Sequence, residues 1–323
     1  MQMLKHSGLY RWMAFILPLA ILANLPGCKT TEKSIIQAQG IQQSSYTLEN
    51  ALLWKINGKD LEQPSYLYGT IHLIPGEDYF LPEGTLGAFD RAKKVVFEID
   101  MSLMSDISSQ MSLLKDIFMK DNLTLKDLLS AEDYTLVSDH FSKLGMPLFM
   151  LERMKPLFLS VFASTEIDLG GIQTGSMKSY EMEFFDMAES AKKPVTGLET
   201  IEYQLSMFDS IPYSAQAEML VEAIRASDTG SDQFRTMIDM YKEQNVNAMI
   251  KMISDDEGGM KGYEDLLVDQ RNRNWIPVMT KMMKENTIFF AVGAGHLAGE
   301  NGVIRLLQKE GYQVKPVKGA NDL

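Results

Sequence analysis

The sequence predicts an α/β protein with a central mixed sheet built from N- and C-terminal strands and a large, mostly helical middle segment. Three observations predict it. Strand-like apolar runs cluster towards the two ends of the chain, at 51–56, 65–73, 95–99, 287–292 and 313–317. A short helical pattern separates the second run from the third, which makes a β-α-β order. Between them, residues 106–285 carry mostly helical apolar spacing.

The elements follow in chain order. Lys5 and Arg11 precede an apolar stretch at 12–22 that is too short, and too interrupted by Pro18, for a spanning helix. It ends at Leu25-Pro26-Gly27-Cys28, the pattern of a bacterial lipobox. Residues 1–27 are therefore read as a lipoprotein signal peptide, with Cys28 as the lipidated residue. Cys28 is the only cysteine, so a mature chain lipidated there has no disulfide. Residues 28–48 are polar and Gln/Ser-rich and form the expected tether. Lys29 directs the expected localisation to the outer membrane of a bacterial cell envelope, after export.

Residues 49–320 form the expected globular domain. Asn57-Gly58 marks a turn after the first strand. Leu81-Pro82-Glu83 starts a helix running to about residue 93, with proline at a first-turn position that needs no N–H partner. The strand at 95–99 carries Glu98 near its carboxyl end, and Asp100 caps the helix that follows. Ser130-Ala131-Glu132-Asp133 has the spacing of a capped helix start. A helix at 180–191, a strand at 193–197 and a helix at 264–285 come next, and strand, helix, strand close the domain. Glycine pairs at 170–171 and 258–259 break the pattern, the second after Asp255-Asp256-Glu257, which predicts an exposed loop. Of 23 methionines, Met150, Met154, Met279, Met282 and Met283 sit in helical patterns and are expected to fill core.

With 31 Lys and Arg against 43 Asp and Glu, the net charge is −12, and no long basic run is present. A nucleic-acid partner is not expected on that ground.

The four histidines are more informative. His6 lies in the leader, and His140 lies in a helical run without a glycine turn, where a surface or packing role is expected. The other two share one design. Gly69-Thr70-Ile71-His72-Leu73 and Gly293-Ala294-Gly295-His296-Leu297 each end an apolar strand. Glycine permits close backbone approach, and ligands of open α/β sheets gather at the carboxyl ends of strands. Two imidazoles and a carboxylate make a common metal set, with Glu98 as the carboxylate. On a helix Arg271 and Trp275 share a face, and Asn272 reaches the same crevice. Arginine forks onto carboxylates or oxyanions. Glu199, opening a helix after a strand, pairs or caps there, or orients a histidine from behind.

Together Leu53-Trp54-Lys55-Ile56, Tyr68 to Leu73, Leu81-Pro82, Val96-Phe97-Glu98-Ile99-Asp100, Lys155-Pro156, Pro194 to Thr200, Gln204, Arg271-Asn272 and Val292 to Gly299 resemble the TraB/GumN family, which includes the TIKI metalloproteases. The resemblance runs from about residue 50 to 318. It implies a divalent-metal-dependent, peptidase-like hydrolase using Mn, Co or Zn, with His72, His296 and Glu98 at the metal and Glu98 as ligand or base. It implies functional places for Arg271, Asn272 and Glu199, and for Gly69 and Gly293 of the paired motifs. Where many relatives carry an aspartate before a mid-chain helix, this chain has Lys178-Ser179-Tyr180-Glu181, and Glu181 is the possible substitute. The expected substrate is a peptide or other small secreted molecule. Two alternatives stay open: a metal-independent, esterase-like hydrolase with a histidine base, and a non-enzymatic peptide- or glycan-binding lipoprotein.

Overall fold

The computed structural model describes residues 46–105, 116–160, 171–228, 233–254 and 262–323. The leader, Cys28, the first part of the tether and the Asp255–Gly259 loop lie outside the described residues. The strands are β1 (Leu53–Asn57), β2 (Ser65–Thr70), β3 (Ile74–Pro75), β4 (Lys94–Phe97), β5 (Met177–Lys178), β6 (Val195–Gly197), β7 (Ile288–Gly293) and β8 (Gln313–Pro316). Six of them form one sheet in the order β6-β4-β7-β2-β1-β8.

That sheet is mixed, as expected. β2, β7, β4 and β6 are mutually parallel, and β1 lies antiparallel to both β2 and β8. N-terminal and C-terminal strands alternate at its centre, so neither end of the chain can build it alone. Every residue of β2 is buried, as are Ile288 to Val292 of β7. Burial on both faces explains their continuous apolar runs. Tyr68, Phe184, Phe289 and Phe89 pack edge-on or tilted against one another, with centroid separations of 4.9 Å for Tyr68–Phe184, 5.0 Å for Phe184–Phe289 and 5.4 Å for Phe89–Phe289.

The helical middle has its own small core of Leu125, Val137, Phe141, Leu148, Leu159, Leu220, Val221 and Ile224. Its helix Ala131–Lys143 starts as predicted, with Ser130 Oγ accepting from Asp133 N–H at 3.1 Å. His140 is 2% exposed and meets the Phe141 ring at 5.5 Å, a packing histidine. Asp100 caps a short 3-10 turn, Met101–Ser105, by accepting from Ser102 N–H at 2.9 Å.

Two expectations change. The helix expected from Pro82 begins at Thr85, because Gly84 turns left-handed at φ 87° and Pro82 closes the turn before it. The methionines divide: Met279 and Met283 are core, whereas Met150 is 67% exposed. Among the described residues no helix is long and apolar enough to cross a membrane.

Register decides where chemistry can occur. Gly69 pairs with Val292, Phe97 with Ala291, and Phe97 with Gly197. Four parallel strands therefore end at one edge, and His72, Glu98, Glu199 and His296 all leave from it. A small second sheet refines the arrangement. β3 pairs with β5, Ile74 with Lys178 and Pro75 with Met177. It ties the backbone just after His72 to the backbone just before Glu181.

Candidate active site

The two Gly-x-x-His segments pack on each other. A Cβ built on Gly69 would stand 2.5 Å from Leu297 Cδ1 and 3.2 Å from Ala294 Cα, both in the second segment. The first glycine is therefore required by close approach. The second brings its N–H to the site: Gly293 donates to Glu98 Oε1 at 2.7 Å, and a Cβ there would approach that oxygen to 3.2 Å.

Glu98 lies one residue past the end of β4. Its Oε2 accepts from Arg271 Nη2 at 2.5 Å and from Gln204 Nε2 at 3.3 Å. Its Oε1 is 3.8 Å from His296 Nε2. Burial works against the carboxylate's charge. Arg271, the two histidines and the Gly293 N–H outweigh it and hold the carboxyl far below its usual range.

Arg271 is the hub. Nε donates to Glu199 Oε1 at 2.9 Å and Nη2 to the same atom at 2.6 Å. Nη1 donates to Leu267 O at 3.3 Å and faces His296 Nε2 at 3.1 Å. With the bond to Glu98, all five guanidinium N–H groups are engaged. The guanidinium also lies 4.9 Å over the Trp275 ring, so the predicted shared face is real. Burial opposes its charge, but Glu98 and Glu199 raise its pKa still further.

Glu199 answers to this hub and not to a histidine, which corrects that part of the expectation. Its Oε2 accepts from Trp275 Nε1 at 2.9 Å. Burial, with repulsion from Glu98, raises its pKa despite Arg271.

The histidines are oriented by other residues. His296 Nδ1 lies 2.7 Å from Asn272 Oδ1. Asn272 also donates from Nδ2 to Asn301 O at 2.9 Å. An amide oxygen only accepts, so His296 carries its proton on Nδ1 and offers the Nε2 lone pair to Arg271. Burial first, then Arg271, push its pKa down to about 3, so the ring is neutral. Asn272 is 0% exposed with both polar atoms engaged. Through Oδ1 it positions His296.

His72 has the opposite company. Its Nδ1 lies 3.0 Å from Glu181 Oε1. That carboxylate also accepts from Thr70 Oγ1 at 2.6 Å and Ser179 Oγ at 3.0 Å. Burial works against the imidazolium, yet the charge and hydrogen bond of Glu181, with Glu98 behind, raise it to about 9. Glu181 was visible in the sequence only as a stand-in for an aspartate. Its contact with His72 spans 109 residues and depends on the β3–β5 pairing.

The donor chemistry suits a divalent cation. Both imidazoles use Nδ1 on an anchoring residue and keep Nε2 for another partner, the usual arrangement behind a metal-bound histidine. Glu98 and Glu199 pair with Arg271 and Glu181 pairs with His72, so three carboxylates stand beside two cationic side chains. Among the described residues no three such side chains are already closed around one point. The reason is visible: the Arg271 guanidinium stands at His296 Nε2 and Glu98 Oε2, a cation held by two of the three donors. The residues fit the group provided those two contacts give way.

A sheet of parallel strands ending at a buried His-Glu-Arg network defines an α/β protein with its site at the carboxyl edge. The chain belongs to the TraB/PrgY/gumN family, whose model matches residues 52–316. It is 27% identical over 322 residues to metalloprotease TIKI1 of Danio rerio, covering 82% of this chain and 63% of that protein. It is 25% identical over 323 residues to TIKI1 of Homo sapiens, covering 82% and 62%. To metalloprotease TIKI2 of Xenopus tropicalis it is 25% identical over 334 residues, covering 85% and 61%. The chain thus spans less than two thirds of the length of these relatives. No solved structure matches it significantly. Relatives named as proteases support a hydrolase-type family.

Proposed function

We propose that the protein is a metal-assisted, peptidase-like hydrolase, held to the outer membrane by lipid on Cys28 and acting on exported peptides. The observation that carries the reading is the pair of anchored imidazoles. Glu181 and Asn272 each fix one Nδ1, and His296 Nε2 lies 3.8 Å from Glu98 Oε1. His72, His296 and Glu98 would hold the ion. A divalent ion supplies an acidified water and a polarised carbonyl.

The chain's own residues do the rest. Arg271 keeps Glu98 ionised and placed. Gly293 N–H holds the other oxygen of that carboxylate. Trp275 and Glu199 keep the guanidinium from turning. Neither histidine suits a free general base near neutrality, one being pushed down to about 3 and the other up to about 9.

The test is a peptide-library assay on the purified chain, with chelation and add-back of Mn, Co or Zn. Wild type should cleave, chelation should stop it, and His72→Ala or His296→Ala should cost about 100-fold or more. Activity that survives complete chelation contradicts the metal reading. Tight peptide binding without turnover would leave a binding lipoprotein. For the anchor, Cys28→Ala should move the protein from the membrane fraction to the soluble one.

A further inference from the structure

The helical middle carries an apolar knob that the hydrolase reading does not use. Residues 144–151, Leu144-Gly145-Met146-Pro147-Leu148-Phe149-Met150-Leu151, include no charge. The segment sits on the small helical core and takes no part in the sheet. Leu148, 4% exposed, anchors it there, and the 3-10 turn Leu148–Met150 carries the next two side chains outwards. Phe149 is 75% exposed and Met150 is 67% exposed, the two most exposed large apolar side chains among the described residues. Hydrogen bonds fix the turn. Met146 N–H donates to Phe141 O at 2.9 Å, Met150 N–H to Pro147 O at 3.0 Å and Leu151 N–H to Leu148 O at 2.8 Å. The exposed charges on either side, Lys143 and Arg153, are both cationic in a chain of net charge −12. Arg153 Nη2 donates to Asn122 Oδ1, a neutral partner, at 3.0 Å. Glu152, the acid between them, accepts from Tyr134 O–H.

We infer that this knob enters the lipid surface of the membrane that carries the chain, with Phe149 and Met150 among the acyl chains and Lys143 and Arg153 at anionic headgroups. The inference goes beyond the hydrolase reading and rests on the lipid anchor proposed with it. Apolar side chains bordered by cations match the layering of a bilayer surface, where acyl chains lie under phosphates. The long stems of Lys and Arg let their charges stay at headgroup level while the turn goes deeper. A few protruding side chains offer far less than the about 800 Å² per partner of a stable protein interface. The chain also has the reach. The 17 residues from 29 to 45 span up to about 60 Å, and a domain of this length is about 50 Å across. Alone the contact is weak and reversible. With lipid on Cys28 it becomes a second point of attachment and orients the domain on the membrane.

The experiment purifies the mature chain, residue 28 onward, with Cys28→Ala so that no lipid is attached. It measures partition onto vesicles of phosphatidylethanolamine and phosphatidylglycerol at millimolar lipid, with and without Phe149→Ser plus Met150→Ser. The inference predicts that the parent chain binds, that the double variant binds about 10-fold or more weakly, and that both melt alike. Lys143→Glu plus Arg153→Glu should weaken binding to these vesicles and leave binding to neutral phosphatidylcholine vesicles unchanged. No binding by the parent, or equal binding by parent and double variant, would overturn the inference. A double variant that melts well below the parent would mean that other parts of the chain cover the two side chains, and would overturn it too. So would unchanged vesicle binding with a fall in peptide kcat/KM, which marks a substrate contact, or in self-association, which marks an interface between copies. Wild type already found in the soluble fraction of cells would be a failure of the anchor itself, and the vesicle result is read apart from it.

Discussion

The two Gly-x-x-His segments share a local sequence and a strand-end position, yet their histidines differ in charge. The His72 side chain is 40% exposed and faces a carboxylate, which holds it near 9. His296 is 5% exposed, and burial first, then the Arg271 guanidinium, hold it near 3. The motif places an imidazole at the edge of the sheet. Burial and the charges around the ring, supplied from elsewhere in the chain, decide whether it is charged. Asn272 lies 24 residues before His296, whereas Glu181 lies 109 residues after His72.

The largest effect that breaks this comparison is expected at the residue between the halves. Arg271→Met leaves two buried carboxylates, Glu98 and Glu199, without their counter-charge. Denaturant unfolding should show a loss of about 3–5 kcal/mol. Arg271→Lys keeps the charge but not the fork, and should recover only part of it. Next is Gly69→Ala, which drives a methyl into Leu297 and Ala294. It should cost about 1–3 kcal/mol in the same measurement, because the two segments are forced apart.

The smaller effects sharpen the contrast. Asn272→Asp gives His296 the kind of partner that His72 has. Its pKa should rise from about 3, read by NMR titration. Glu181→Gln does the converse, and His72 should fall from about 9 towards 6.5. A raised folded-state pKa stabilises the fold below pH 6.5, and that contribution is lost as pH rises to about 9. The alkaline limb of the stability profile should therefore flatten in Glu181→Gln.

Much of the sheet was legible because parallel strands buried on both faces leave long apolar runs, as in β2 and β7. His72, His296, Glu98 and Arg271 were legible because each residue type is unusual where it stands. What was not legible depends on pairing at a distance. Glu199 could be seen to matter, but nothing local said that it would grip Arg271. Gln204 stands among the residues that carry the family resemblance, but nothing local said that it would meet Glu98. The late start of the helix Thr85–Arg91 turned on a left-handed glycine that its neighbours do not announce.

The central claim is that one site holds two like motifs in opposite protonation states. Imidazole NMR on histidine-labelled, metal-free protein tests it in one sample, with His72→Gln and His296→Gln assigning the signals. The account predicts one ring titrating near 9 and another that stays neutral with its proton on Nδ1 until about 3. Two rings titrating together near the ordinary 6.5 would contradict it.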